Sequence, residues 1–264
     1  MLSRHPYLDH PGPLAFAHRG GSLGGPENSL AAFAHAVELG YRYLETDAHV
    51  TADGVLIAFH DSRLERVTDG AGAVKDLPWR TVGAARIAGT EPIPLLEDLL
   101  GAFPRTRFNI DVKAARAAGP LVEAIRRTNA WDRVCVGSFS DARLAAVRAA
   151  AGARLATSLG PRAVLGLRLR SLAQRTQPRS QASAPAPARQ QALCVQVPRS
   201  WAGLPVVDRA FVRTAHRLGL QVHVWTVDDP DQIRALLDLG VDGIMADHID
   251  ILRDVLIERG CWTG

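Results

Sequence analysis

Along this chain, short apolar runs end in charged or glycine-rich turns, and stretches with helical spacing follow them. Leu14 to His18 is the first such run; it stops at Arg19-Gly20-Gly21, so a strand carries a histidine and an arginine into a flexible turn. Pro26-Glu27-Asn28-Ser29 offers side-chain oxygens for an N-cap, and Leu30, Phe33, Ala34 and Val37 recur at helical spacing up to Gly40. Tyr41 to Val50 reads as the second strand, with Tyr43, Glu45 and Asp47 on one face and Leu44, Thr46, Ala48 and Val50 on the other. Asp53-Gly54 is a tight-turn signal, after which Val55 to Phe59 resumes as a strand ending in His60-Asp61.

From Ser62 to Pro94 the periodicity dissolves into glycines, charges and short apolar patches, too long for an ordinary connection. We expect an insertion that partly lids the strand ends. Leu95 to Leu100 begins a helix, and Arg107 to Lys113 is the next strand, with Phe108, Ile110 and Val112 toward covering helices and Asn109, Asp111 and Lys113 facing inward. Inward polar groups are costly unless a metal, a ligand or each other satisfies them.

The same alternation continues. Strands are predicted at Val134 to Phe139, Arg154 to Ser158, Leu193 to Val197, Gln221 to Val227 and Gly243 to Ala246. Helices are predicted at Ala142 to Ala150, Arg162 to Gln174, Asp208 to Leu218, Asp231 to Leu239 and Ile251 to Glu258. Thr176 to Arg189, rich in Pro, Ala, Ser and Gln, is expected to be a mobile surface loop. Taking the doubled strand around Asp53-Gly54 as one wall gives eight β-α units. The predicted fold is therefore α/β, a parallel (β/α)8 TIM-type barrel with a small insertion after the second barrel strand, rather than a doubly wound sheet.

Composition narrows this further. With 264 residues, 47% of them hydrophobic, the chain can bury one large core, so residues 1–264 are expected to form a single domain. A net charge of +4 without a basic cluster interleaved with aromatics argues against a nucleic-acid partner and is compatible with a small anionic substrate. Of the 31 basic residues only Lys75 and Lys113 are lysine, so Lys113 is either held as a compact point charge or a product of chance. Cys135, Cys194 and Cys261 have no metal-like spacing, and the first two read as small buried hydrophobes. Met1 to Pro13 lacks an apolar signal core, and no run approaches the roughly 18 residues of a membrane span. A cytoplasmic protein without integral membrane association is the default expectation; oligomeric state is left open.

The candidate chemistry sits at strand ends. His18 and His60 can act as a general acid and a general base near neutral pH. Glu45, Asp47 and Asp111 form an all-oxygen set that suits Mg²⁺ or Ca²⁺ better than zinc, and two carboxylates two apart on one strand face stand about 7 Å apart. Arg19 and Lys113 add donors for an anion. A hard cation, two cationic side chains and an acid/base pair together describe displacement at phosphorus. Each residue alone has a bland reading as a solvated strand edge, a turn or a surface charge; their order on successive β-α units is what argues otherwise. Phe139 and Trp225 either wall the substrate or pack in the core. His49 is a candidate supporting group, as are Asp61 and Asn109, and His223 reads as a satisfied core histidine.

These same residues resemble the glycerophosphodiester phosphodiesterase family. The resemblance runs through His18-Arg19-Gly20, Pro26-Glu27-Asn28-Ser29, Glu45-Thr46-Asp47 and His60-Asp61. It continues through Thr68-Asp69-Gly70, Asn109 to Lys113, Ser138-Phe139, Trp225-Thr226-Val227 and Gly240 to Ile244. It implies His18 and His60 as the acid/base pair, Glu45, Asp47 and Asp111 as metal ligands, and Arg19 and Lys113 as phosphate contacts. Glu27 would lie near the metal or orient the arginine. The implied reaction is metal-dependent hydrolysis of a glycerophosphodiester to an alcohol and glycerol 3-phosphate. The alternatives are lysophospholipase D-type cleavage of a lysophospholipid, or a barrel that binds phosphoesters without turnover. Two positions depart from the family pattern: Asp111 stands where many members carry glutamate, and Ser29 where the helix-start motif has threonine.

Overall fold

Eight strands alternate with eight helices and close on themselves. The computed structural model describes residues 5–21, 25–173 and 192–264; the loop expected at 176–189 lies outside the described residues. The barrel strands are β1 (Leu14–His18), β2 (Tyr43–Val50), β3 (Arg107–Val112), β4 (Val134–Gly137), β5 (Ala156–Ser158), β6 (Ala192–Pro198), β7 (Gln221–Trp225) and β8 (Gly243–Ala246). Each pairs in parallel with the next, and β1 pairs with both β8 and β2, so the barrel has no free edge.

The helices are α1 (Leu30–Glu38), α2 (Leu96–Ala102), α3 (Ala118–Arg127), α4 (Asp141–Ala151), α5 (Pro161–Ala173), α6 (Arg209–Arg217), α7 (Pro230–Leu239) and α8 (Ile249–Glu258). Their starts follow local chemistry. Ser29, Ser140, Asp208 and Asp229 each cap a helix by accepting a backbone N–H three residues on. Ser29 thus does the work expected of the threonine it replaces.

Side-chain alternation splits the core in two. Ala15, Ala17, Leu44, Phe108, Ile110, Val112, Val136 and Val222 point out under the helices and join one continuous cluster. Leu14, Phe16, Tyr43, Cys135, Ala156, Cys194 and Met245 point in and fill the lower barrel. The N-terminal turn Pro6–Leu8 plugs that end: Tyr7 is fully buried, packs edge-on against Tyr43 at 5.5 Å, and its carbonyl accepts from the Tyr43 hydroxyl at 2.7 Å. Bulky inward residues below leave only the upper, C-terminal end to hold polar groups. No helix among the described residues is long and apolar enough to cross a membrane.

The doubled wall is a hairpin: Leu56–Ala58 runs antiparallel to the outer end of β2, with Ala48 opposite Ala58. The insertion that follows contains the short helix Trp79–Val82, paired strands at Arg86–Ile87 and Glu91–Pro92, and its own small core of Ile57, Phe59, Leu64, Val74, Val82, Ile87 and Ile93. Several predicted strands run shorter than expected; β4 stops at Gly137 and β7 at Trp225, each two residues early, which leaves Ser138-Phe139 and Thr226-Val227 in the loops beyond.

Candidate active site

Parallel register brings the acidic residues to one level. His18 lies opposite Glu45, Glu45 opposite Asn109, and Asp47 opposite Asp111. Glu45, Asp47 and Asp111 are all buried at the C-terminal end of adjacent walls, as expected. They do not stand as a ready-made metal cluster: among the described residues no group of three His, Cys, Asp or Glu could hold an ion. Instead the Lys113 ammonium lies between two of them, 2.6 Å from Asp111 Oδ2 and 3.1 Å from Asp47 Oδ1. Asp111 Oδ1 is buried and finds no hydrogen-bond partner among the described residues.

The electrostatics follow from this crowding. Burial, reinforced by the charge of Asp47, pushes the Glu45 carboxyl up to about 7. Burial also lifts Asp111 above the ordinary carboxylate value, against the pull of Lys113. For Asp47, burial would raise the carboxyl, but Lys113, His60 and Arg19 outweigh it and hold it low. The same two carboxylates raise Lys113, so it stays charged.

Each histidine carries a carboxylate on Nδ1. His18 Nδ1 is 2.6 Å from Asp247 Oδ1, and its Nε2 is 3.7 Å from Glu45 Oε2. Burial favours the neutral ring, but Glu45 and Asp247 prevail and raise its pKa. His60 Nδ1 is 2.6 Å from Asp61 Oδ1, and its carbonyl oxygen is 3.0 Å from His49 Nε2. His49 therefore holds the backbone of His60, the supporting role its face suggested.

Arg19 is bent into the site by a left-handed backbone (φ 52). Its amide is 3.3 Å from Glu45 Oε2 and its Nη1 donates to Glu27 Oε1 at 3.1 Å, while its buried Nε has no hydrogen-bond partner among the described residues. Glu27 is held low, burial being outweighed by Arg66 and Arg19. Asn28, also left-handed at φ 56, accepts from Thr46 Oγ1 at 2.7 Å and donates to Asp47 Oδ2 at 3.2 Å. Asparagine tolerates that backbone region better than other non-glycine residues.

Phe139 is 60% exposed and meets Trp225 edge-on at 5.4 Å, with Lys113 Nζ 5.4 Å from its ring. Phe139 is thus not packed in the core. Asn109 belongs elsewhere: Gln196 donates to it at 2.7 Å and also lies 3.4 Å from the fully buried His223, a polar layer below the site.

Three residues escaped the sequence reading. Asp247 follows β8 directly, the strand-end position that marked the others. Asn28 sat inside a motif valued for its neighbour. Arg66 lies in the insertion, where no periodicity singles it out, yet it reaches both Glu27 and Asp61.

Residues 18–251 match the family model of the glycerophosphoryl diester phosphodiesterase family. The chain belongs to that family. A Mycobacterium tuberculosis protein named "Probable glycerophosphodiester phosphodiesterase 2" is 45% identical over 260 residues, covering 98% of this chain and 96% of that protein. Among solved structures, a Silicibacter pomeroyi protein superposes with a TM-score of 0.77 at 25% identity over 97% of this chain and 98% of the other. An Oleispira antarctica phosphodiesterase, solved with the product sn-glycerol-3-phosphate, shares the fold with a TM-score of 0.73 at 20% identity over 93% and 97%.

Proposed function

We propose that the chain hydrolyses glycerophosphodiesters, such as glycerophosphocholine, to an alcohol and glycerol 3-phosphate. The observation that carries this reading is the pair of carboxylate-bound imidazoles flanking buried acidic oxygens at one barrel mouth. With Nδ1 committed to Asp247 or Asp61, the Nε2 of each ring is the atom that exchanges protons. One ring accepts the proton of the attacking hydroxyl or water as a new P–O bond forms. The other delivers a proton to the departing alcohol oxygen as the old P–O bond breaks. Arg19 Nε, a buried donor 3.6 Å from Asp47 Oδ2 with no hydrogen-bond partner among the described residues, and the Lys113 ammonium supply hydrogen bonds to the phosphoryl oxygens.

As carboxylate-oxygen donors Glu45, Asp47 and Asp111 fit the chemistry of a hard divalent cation, Mg²⁺ or Ca²⁺, although Lys113 stands between two of them and they are not gathered as a ligand cluster. Two observations support the fit: Asp111 Oδ1 is a buried acceptor with no hydrogen-bond partner among the described residues, and burial, together with the charge of Asp47, pushes Glu45 up to about 7. When bound, such a cation supplies Lewis-acid stabilisation of the developing oxyanion charge. Glu27 orients Arg19 rather than touching that position.

The test is the purified chain with glycerophosphocholine and Mg²⁺ or Ca²⁺. Glycerol 3-phosphate should appear and a chelator should stop it; no release, or release indifferent to chelator, overturns the reading. His18→Ala and His60→Ala should each lower turnover by about 10² or more with an unchanged circular dichroism spectrum.

A second reading, cleavage of lysophospholipids, draws on exposed apolar groups on the same side of the barrel. Phe139 is 60% exposed, and Trp201 and Leu204, in the hairpin just beyond β6, are 68% and 72% exposed. Higher kcat/KM on a lysophospholipid than on glycerophosphocholine would favour it.

A further inference from the structure

Four charged side chains of alternating sign, Arg19, Glu27, Arg66 and Asp61, end on the His60 imidazole and link the loop after β1 to the end of the β2 hairpin. Arg66 is the centre of that line and its sole contribution from the insertion. Its Nη1 and Nη2 donate to Glu27 Oε2 and Oε1 at 3.0 and 2.7 Å, while Nε donates to Asp61 Oδ2 and Nη2 to Oδ1 at 3.1 Å. Meeting both oxygens of each of two carboxylates takes a planar fork with several fixed donors; an ammonium, like that of Lys113, reaches one oxygen of each.

The Arg66 side chain is 48% exposed and lies on the outer side of Glu27, which is buried. Whatever it does to the reaction it therefore does through other groups. The insertion has an apolar core of its own, with Leu64, Val74, Val82 and Ile87, to which Arg66 does not belong.

We propose that Arg66 is a positioning residue that sets two parts of the site together: the imidazole of His60 through Asp61, and the guanidinium of Arg19 through Glu27. The insertion thereby helps assemble the site as well as flanking it. This inference rests on the roles given above to His60 and Arg19.

The experiment uses the full chain as wild type, Arg66→Met and Arg66→Lys, read by hydrogen exchange and by steady-state kinetics on glycerophosphocholine with Mg²⁺. In Arg66→Met, exchange should rise by about tenfold or more in residues 25–29 and 60–66 and stay unchanged over 74–93. Its kcat should fall by about tenfold or more, with Arg66→Lys between it and wild type. Unchanged exchange in the two segments, or unchanged kcat against an active wild type, overturns the proposal. Loosening of the whole insertion with a lower unfolding midpoint also overturns it, because Arg66 would then be a staple of the fold. A wild-type chain without turnover overturns the functional reading instead, and the exchange pattern still decides whether Arg66 holds both segments.

Discussion

A carboxylate on Nδ1 of His18 and of His60 decides which ring nitrogen is left for the proposed proton transfers, and for His18 that carboxylate is Asp247 at 2.6 Å. Asp247→Asn keeps the volume but replaces an acceptor oxygen with a donor, so the ring is free to take the wrong tautomer. Its kcat should fall by about 10-fold to 10³-fold while KM changes by less than about threefold; steady-state kinetics showing an unchanged kcat would refute the assignment. Asp61 makes a prediction about pH. Burial tends to raise its carboxyl, but Arg66 and His60 outweigh burial and bring it to about 2. The folded value lies below the unfolded one of about 3.9, so this stabilisation is complete above about pH 4 and is lost as pH falls through about 2. Thermal unfolding followed from about pH 5 to about pH 2 should therefore fall less steeply in Asp61→Asn than in wild type.

At the scale of elements, the site is a consequence of pairing between β2 and β3. Parallel register sets Asp47 against Asp111, and strand alternation sends both inward while Leu44, Ala48, Phe108 and Ile110 bury under the helices. Asp111→Asn leaves Lys113 facing one carboxylate instead of two and removes one charge from the proposed cation position. Calorimetric titration with Mg²⁺ or Ca²⁺ should show weaker binding by about tenfold or more, independently of turnover. The loop before α1 adds a second support, because Asn28 ties Thr46 to Asp47 across buried backbone. Asn28→Ala removes both bonds and should cost about 1–3 kcal/mol in denaturant unfolding.

Across the whole molecule, stability and chemistry occupy opposite ends of one barrel. The lower end is closed by Tyr7, Phe16, Tyr43 and the thiols of Cys135 and Cys194, 3.9 Å apart and free. The Tyr7 hydroxyl is buried without a hydrogen-bond partner among the described residues, so Tyr7→Phe removes an unsatisfied group and should stabilise the fold by about 1 kcal/mol. Tyr7→Ala opens a void there and should cost about 3–5 kcal/mol. Neither change should alter kcat of the folded protein, since the reacting groups all lie at the far mouth; a large drop in kcat for Tyr7→Phe would break that separation.

The order of apolar runs, turns and caps was enough to determine the barrel, because strand and helix periods are local properties that each segment carries by itself. The same local rule put forward His18, Glu45, Asp47, His60, Asp111 and Lys113 as candidates, each at a strand end or on its inward face. Helix α3 was not predicted: it opens on Ala118-Gly119-Pro120 without a side-chain cap, and only the burial of Leu121, Ala124 and Ile125 declares its face. What the tertiary structure alone decided are the partnerships across the chain, Asp247 with His18, Arg66 with Glu27 and Asp61, and Lys113 between two carboxylates. Such pairings join residues as much as 229 positions apart. Their geometry is set by barrel closure and register, and a local pattern along the chain carries no record of either.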